Sequence, residues 1–183
     1  MYLHQSANDA DLVQRSLRGD LAAFEALVEE YQRVLFTVAY RMLGDYEDAR
    51  DATQNTFIKV FQKLGTFDQQ QRFFSWIYRI LVNECLNARR GRPVAMESGE
   101  REAPASARPD GPLDAAERRQ EVRRAVLALP HDYREVIVLR HFGGLSYEEM
   151  AEALQIPVRT VKSRLYTARQ RLMEALSPLE KSR

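Results

Sequence analysis

The residue spacing between Leu145 and Met173 leaves this chain few choices, because it demands two short helices around a tight turn, the second apolar on one side and basic on the other. Ser146 is a strong N-cap and Glu149, three positions on, completes a capping box, so a helix begins here after the Gly143-Gly144 break. Met150, Ala151 and Leu154 make its apolar face. Gln155 and Ile156 form the turn, and Pro157 suits the opening of the next helix, where no amide donor is needed. In that second helix Val161, Leu165, Ala168 and Leu172 recur at i, i+4, i+7 and i+11, on one stripe. The opposite stripe carries Arg159, Ser163, Tyr166 and Gln170, flanked by Lys162 and Arg169 on one side and by Thr160, Arg164 and Arg171 on the other. From Ala153 to Met173 there are five Lys or Arg and no Asp or Glu. Such a face presents charge to phosphates and donors to base edges, as a helix lying in a DNA major groove must. An ordinary solvated helix carries similar charge, but without the capping box, the proline-marked turn and the opposing apolar stripe.

Charge along the rest of the chain is uneven. The net charge of +1 divides into −1 over residues 1–91, −2 over 92–115 and +4 over 116–183, which concentrates positive charge in the segment with the groove-reading pattern. Cys85 is the only cysteine, so no internal disulfide can form, and its apolar helical surroundings mark it as a small buried hydrophobe. The histidines at 4, 131 and 141 make no metal-ligand pattern, and no cofactor-binding motif is present. No signal segment opens the chain and no apolar run approaches the ~20 residues that span a bilayer. A soluble, cytoplasmic protein with no membrane insertion is expected.

Four of the seven prolines (93, 104, 109 and 112) fall in residues 92–112 with several Gly and Ser, which marks residues 92–115 as a flexible linker. It separates an N-terminal domain, 1–91, from a C-terminal domain, 116–178, with a short tail at 179–183. In the first, Phe24 to Met42 shows helical periodicity that stops at Gly44; a second helix runs from about Tyr46 to Leu64 with Phe57, Val60 and Phe61 apolar; a third runs from about Arg72 to Arg90. In the second domain, helices near 114–129 and 132–142 precede the helix-turn-helix. Nothing alternates with period two, so both domains are expected to be all-α. Phe73, Phe74 and Trp76 cannot all point to one side of a helix, so one of them is expected at a surface beside Arg79, Asn83, Asn87 and Arg90, where it could stack on unpaired bases.

Taken together these segments resemble the sigma factors of bacterial RNA polymerase, and within them the two-domain extracytoplasmic-function group. Four stretches carry the resemblance: Gly19-Asp20 with Phe24-Glu25-Ala26-Leu27-Val28 and Tyr31; Asp48 through Phe57; Trp76-Ile77-Tyr78-Arg79-Ile80 with Asn83; and Leu145 through Ala151 with Val158 through Arg164. The resemblance implies a sigma-2-like helical bundle that binds the clamp helices of the polymerase's largest subunit and holds the −10 promoter element as single strand. It also implies a sigma-4-like helix-turn-helix domain that reads the −35 element as duplex and touches the flap of the second-largest subunit. An anti-sigma protein is the further partner it implies. Core contact then falls to Asp48, Asp51, Gln54 and Asn55, with Arg50 and Asn55 standing where the family usually has Glu. The −10 strand falls to the loop from Gly65 to Arg72, with Phe67 at a base pocket, and to Phe73, Tyr78, Arg79, Asn83, Asn87 and Arg90. The −35 duplex falls to Arg140, Arg159, Thr160, Lys162, Ser163, Arg164, Tyr166 and Arg169.

Residues 92–112 could stretch to about 70 Å at ~3.3 Å each, whereas a flexible coil of that length averages about 25 Å. Groove sites one or two helical turns apart are separated by ~35–70 Å. The two domains are therefore expected to be placed by polymerase, with the free chain either mobile or held closed by a partner. Two alternatives have different signatures. A stand-alone regulator would need a ligand or phosphoacceptor domain, and the N-terminal half lacks the strand-helix alternation of a receiver. An enzyme would need a phosphate loop, nucleophile elbow or zinc spacing, none of which occurs, so no catalytic residue is nominated.

Overall fold

Asp20 starts the long second helix by accepting the Ala23 amide at 3.2 Å, and Arg15 holds that carboxylate at 2.8 Å. In this computed structural model, which describes residues 5–90 and 113–180, all regular elements among the described residues are helical. They are α1 (Gln5–Leu17), α2 (Leu21–Leu43), α3 (Tyr46–Lys63), a single 3-10 turn (Leu64–Thr66), α4 (Phe73–Arg90), α5 (Leu113–Ala128), α6 (His131–His141), α7 (Tyr147–Leu154) and α8 (Val158–Glu180). The all-α expectation holds. Helix α5 begins at Leu113, so the last part of the expected linker is helical. Residues 92–112 of that linker, and residues 181–183 of the expected tail, lie outside the described residues.

Helix α2 buries Ala23, Leu27, Tyr31, Leu35, Val38, Ala39 and Met42 and ends at Gly44, whose φ of 77° is the left-handed cap that its glycine permits. Asp45 immediately restarts the chain by accepting the Asp48 amide at 3.0 Å, so α3 begins after a two-residue connection and packs on α2. Helix α3 turns Ala49, Ala52, Thr53, Thr56 and Val60 inward. Phe61, expected with Val60 on the apolar side, is instead 56% exposed and rests edge-on against Phe24. Helix α1, which the sequence reading did not single out, closes this bundle with Leu12 and Val13.

Helix α4 is buried nearly all round: Phe73, Ser75, Trp76, Ile77, Tyr78, Ile80, Leu81, Val82, Glu84 and Cys85 are all inside. A helix at the edge of one small bundle would show one apolar stripe. Two neighbours explain the difference, α3 on one side and α7 of the C-terminal half on the other. Of the three aromatics, at least one of which is expected at a surface, Phe74 is the one left partly exposed. Phe73 and Trp76 pack with Phe67, and Phe74 is half-buried, tilted on Tyr78 with their centroids 4.7 Å apart.

The C-terminal half is built on α6 and α8. Val136, Ile137, Val138 and Leu139 meet Val161, Leu165 and Ala168, while Met150 and Ala153 bring α7 onto the same core. This half reaches back to the first directly. Arg123 donates to the Gly44 carbonyl and Arg134 to the Met42 carbonyl, both at 2.8 Å, and Arg72 pairs with Glu149 at 2.7 Å. The expectation that only polymerase or a partner would bring the halves together is corrected: the chain makes these contacts itself.

Asp9, 4% exposed, accepts the Tyr31 hydroxyl at 2.6 Å while its other oxygen lacks a partner, and burial pushes its carboxyl up to about 6. The folded chain thus keeps a proton that the unfolded chain has released above its ordinary value near 3.8. Stability should fall as pH rises from about 4 to about 6, and Asp9→Asn should flatten that slope in urea titrations across this range.

Candidate nucleic-acid interface

The capping box at Ser146 is complete: its hydroxyl accepts the Glu149 amide at 3.1 Å and its own amide donates to the Glu149 carboxylate at 2.7 Å. Gln155 carries the turn at φ 55°, a left-handed position that an L side chain adopts at some cost, and its side-chain amide donates to the Glu152 carbonyl at 2.7 Å. Pro157 then opens α8 one residue ahead of its first helical position, its carbonyl accepting the Thr160 and Val161 amides. Val161, Leu165 and Ala168 are buried and Leu172 half-buried, so the stripe read from spacing is the buried one. The rotation of α8 is thereby set.

Opposite that stripe Arg159, Lys162, Ser163, Tyr166 and Arg169 are all exposed, Tyr166 at 68%. Thr160 is half-buried, and its carbonyl accepts the Ser163 hydroxyl. Lys162 and Arg140 lean over the Tyr147 ring, at 5.7 and 5.2 Å, which keeps positive charge beside the first turn of α8.

Two nominated residues have other work. Arg164 is not on the open face: its guanidinium reaches into α6, with Nη2 2.7 Å from Asp132 and Nη1 3.0 Å from Glu135. Glu135 is 6% exposed, and burial pushes its carboxyl up to about 7 against the pull of Arg164. His131 completes this group 3.3 Å from Glu135, and burial lowers its pKa. Ligand atoms of His131, Asp132 and Glu135 lie within 4.8 Å of one another, but Arg164 already sits on both carboxylates. Arg140 is half-buried and donates to the Leu145 carbonyl at 2.7 Å, which fixes the loop before α7. Periodicity showed which side of α8 these residues approach, but not the carboxylates waiting on α6.

In the N-terminal half, Asn83, Asn87 and Arg90 are exposed in one strip of α4 with Arg79 half-exposed beside them. Phe67 is half-buried, whereas Phe73 and Tyr78 are not at a surface: Phe73 is 4% exposed and Tyr78 fully covered, its hydroxyl 3.5 Å from the Gly143 carbonyl. On α3, Asp51, Gln54 and Asn55 are exposed and Asp48 half-buried in the capped first turn. Sequence reading missed the groove beside them. About 660 Å³ lies between α2 and α3, lined by Val28, Phe36, Arg50, Gln54, Phe57 and Ile58 among others. Arg50, on its rim, pairs with Glu47 at 2.5 Å and approaches Asp51 at 3.6 Å.

Comparison with known proteins supplies the class. A model of Sigma-70 region 2 matches residues 27–93, and one of Sigma-70, region 4 matches residues 119–172. The RNA polymerase sigma-H factor of Pseudomonas aeruginosa is 37% identical over 93% of this chain and 95% of its own length. The ECF RNA polymerase sigma-E factor of Escherichia coli is 34% identical over 97% of this chain and 98% of its own. Among solved structures, CnrH in complex with the cytosolic domain of CnrY superposes with a TM-score of 0.74 at 27% identity, over 93% of this chain and 98% of that one. The sigma factor RpoE in complex with the anti-sigma factor NepR from Bartonella quintana does so at 0.69 and 28%, over 84% and 96%. This chain belongs to the extracytoplasmic-function group of RNA polymerase sigma factors. It is a promoter-specificity subunit; sigma factors are non-catalytic, and the stand-alone regulator is not favoured.

The two kinds of arginine on α8 should separate in solution. Arg164→Ala should lower stability by about 1.5–3 kcal/mol, because it strips the charged partner from Glu135. Arg159→Ala, on the open face, should leave the urea midpoint nearly unchanged.

Proposed function

We infer that α8 reads the −35 element as duplex while the N-terminal half holds the −10 element as single strand. The observation that carries this is the outward face of α8, where Arg159, Lys162, Ser163, Tyr166 and Arg169 stand exposed on a helix whose other side is locked in a core. Charged and aromatic side chains so placed can enter a major groove without any rearrangement of the fold. Arg164 and Arg140 act there as positioning residues, the first by fixing α8 on α6 and the second by fixing the loop before α7.

For the −10 strand the exposed strip Asn83, Asn87 and Arg90, with Arg79, offers hydrogen bonds and charge, and Phe67 in the loop before α4 offers a ring for an extruded base. The groove between α2 and α3 suits the clamp helices of the largest subunit: its floor is apolar, and Asp51, Gln54 and Asn55 border it. Because Arg50 offsets acidic charge at Glu47 and Asp51, this contact relies more on the apolar floor than on charge. The C-terminal half touches the flap of the second-largest subunit, and an anti-sigma protein restrains the chain, as the RpoE–NepR complex illustrates for a relative. Among the described residues no helix is long and apolar enough to cross a membrane, and we place the protein in the cytoplasm with its polymerase.

In vitro transcription with core polymerase over a promoter library tests this reading. The chain should select a defined pair of elements. Arg159→Ala or Lys162→Ala should weaken discrimination at one upstream base by ~1–3 kcal/mol where the side chain reads that base, or reduce the salt dependence where it grips phosphate. Asp51→Ala with Gln54→Ala should raise the protein concentration needed for half-maximal initiation without altering which promoters are chosen. Unchanged promoter choice together with an unchanged salt dependence in both α8 variants would remove α8 from the groove.

A further inference from the structure

The cationic face of α8 continues onto its neighbours. Arg140 of α6 and Lys162 of α8 lie over one ring, that of Tyr147 in the first turn of α7, at 5.2 and 5.7 Å, so three helices contribute to a single charged rim. His141 follows Arg140 as the last residue of α6, and it is exposed. From α8, which packs on α6, Arg169 bears on its imidazole, as does Arg140 from its own helix. The charged groups of the other elements packed on α6 have partners of their own: Arg41 of α2 lies on the Phe142 ring, Arg123 of α5 donates to the Gly44 carbonyl, and Glu149 of α7 pairs with Arg72. His141 thus stands between two arginines that were both nominated for the −35 duplex.

In the free chain this imidazole resists a proton. Partial burial, then Arg169, then Arg140 hold its pKa below the ordinary value near 6.5. A helix end by itself favours a cation, because the final carbonyls carry negative charge, so the two arginines act against a position otherwise suited to one. Duplex DNA reverses that balance. A helix lying in the ~12 Å wide major groove has phosphates along both rims. A phosphate that reaches Arg169 or Arg140 cancels the repulsion they exert and adds an attraction of its own. His131, at the start of the same helix, is turned onto Glu135 at 3.3 Å and serves the contact between α6 and α8.

We propose that His141 is a further contact to the phosphates beside the −35 element and takes up a proton from solvent as it makes that contact, so that upstream-element binding by this chain tightens as pH falls. The imidazolium donates an N–H to a phosphate oxygen. It supplies conditional charge next to the permanent charge of Arg159, Lys162 and Arg169. The inference rests on the assignment of α8 to duplex DNA. Below the pKa of the free chain the imidazole is already charged, and above that of the complex it is neutral in both states; between the two, each pH unit changes affinity by at most about tenfold.

The test is equilibrium binding of labelled promoter DNA by the holoenzyme of the full chain with core polymerase, from about pH 8 down to about pH 6 at fixed salt. Comparison between variants cancels titrations that belong to polymerase, and His141 is exposed, so its substitution leaves the core intact. Over that descent the unaltered chain should gain at least about threefold in affinity relative to His141→Gln. His141→Lys, charged throughout, should bind more tightly than the unaltered chain at the upper end. At the lower end the salt slope of the unaltered chain should exceed that of His141→Gln by up to about one. His131→Gln should keep the pH dependence. Parallel pH profiles for the unaltered chain and His141→Gln, while Arg159→Ala or Lys162→Ala still changes promoter choice or salt slope, overturn this proposal alone. Loss of the dependence in His131→Gln instead, or a changed base preference in His141→Gln with no change in salt slope, also overturns it. No response in either α8 variant overturns the reading of α8 itself.

Discussion

Helix α4 is the element on which the rest of the molecule depends, because it has two apolar sides and only one of them can be covered by its own bundle. Phe73, Ile77, Ile80 and Leu81 are buried in the core, and the bundle of α1 to α3 alone would leave Tyr78 at its edge. The C-terminal half covers it, with the Gly143 carbonyl at its hydroxyl. The contact between the two halves thus follows from the composition of one helix, whose second apolar side is covered by α7.

Arginine does three distinct jobs here, and only position distinguishes them. Arg159 and Arg169 extend into solvent from the face of α8 that the apolar stripe forces outward. Arg164, one helical step round, is spent on Asp132 and Glu135 and locks α8 to α6. Arg123 and Arg134 close the two halves by serving carbonyls at the end of α2. A planar fork with five donors suits all three, which is why lysine would not replace arginine at the carbonyl-binding sites. The net charge of a segment therefore says that nucleic acid is near without saying which cations touch it.

What could be read from sequence was whatever depends on neighbours a few residues apart. The capping box at Ser146 and Glu149, the left-handed stop at Gly44 and the buried stripe of α8 are local, and all three stand as read. Long-range partners were not legible. Nothing in the spacing of Arg164 announces Glu135, and nothing around Tyr78 announces Gly143, because those pairings depend on how separate helices pack. Helix α1 was missed for a related reason: among its described side chains the apolar ones it buries are Leu12 and Val13, and the polar pair Asp9 and Tyr31 anchors it. The groove between α2 and α3 was half legible, its polar rim on α3 being visible and its apolar floor being shared between two helices.

The claim that organises all of this is that the packing of α8 leaves its basic, tyrosine-bearing side to meet duplex DNA. A photo-crosslinking amino acid at Tyr166, in a complex of this chain with core polymerase and promoter DNA, tests it most directly. The account predicts cross-links to bases of the upstream promoter element and none to the polymerase subunits; cross-links to protein alone, with the DNA untouched, would contradict it.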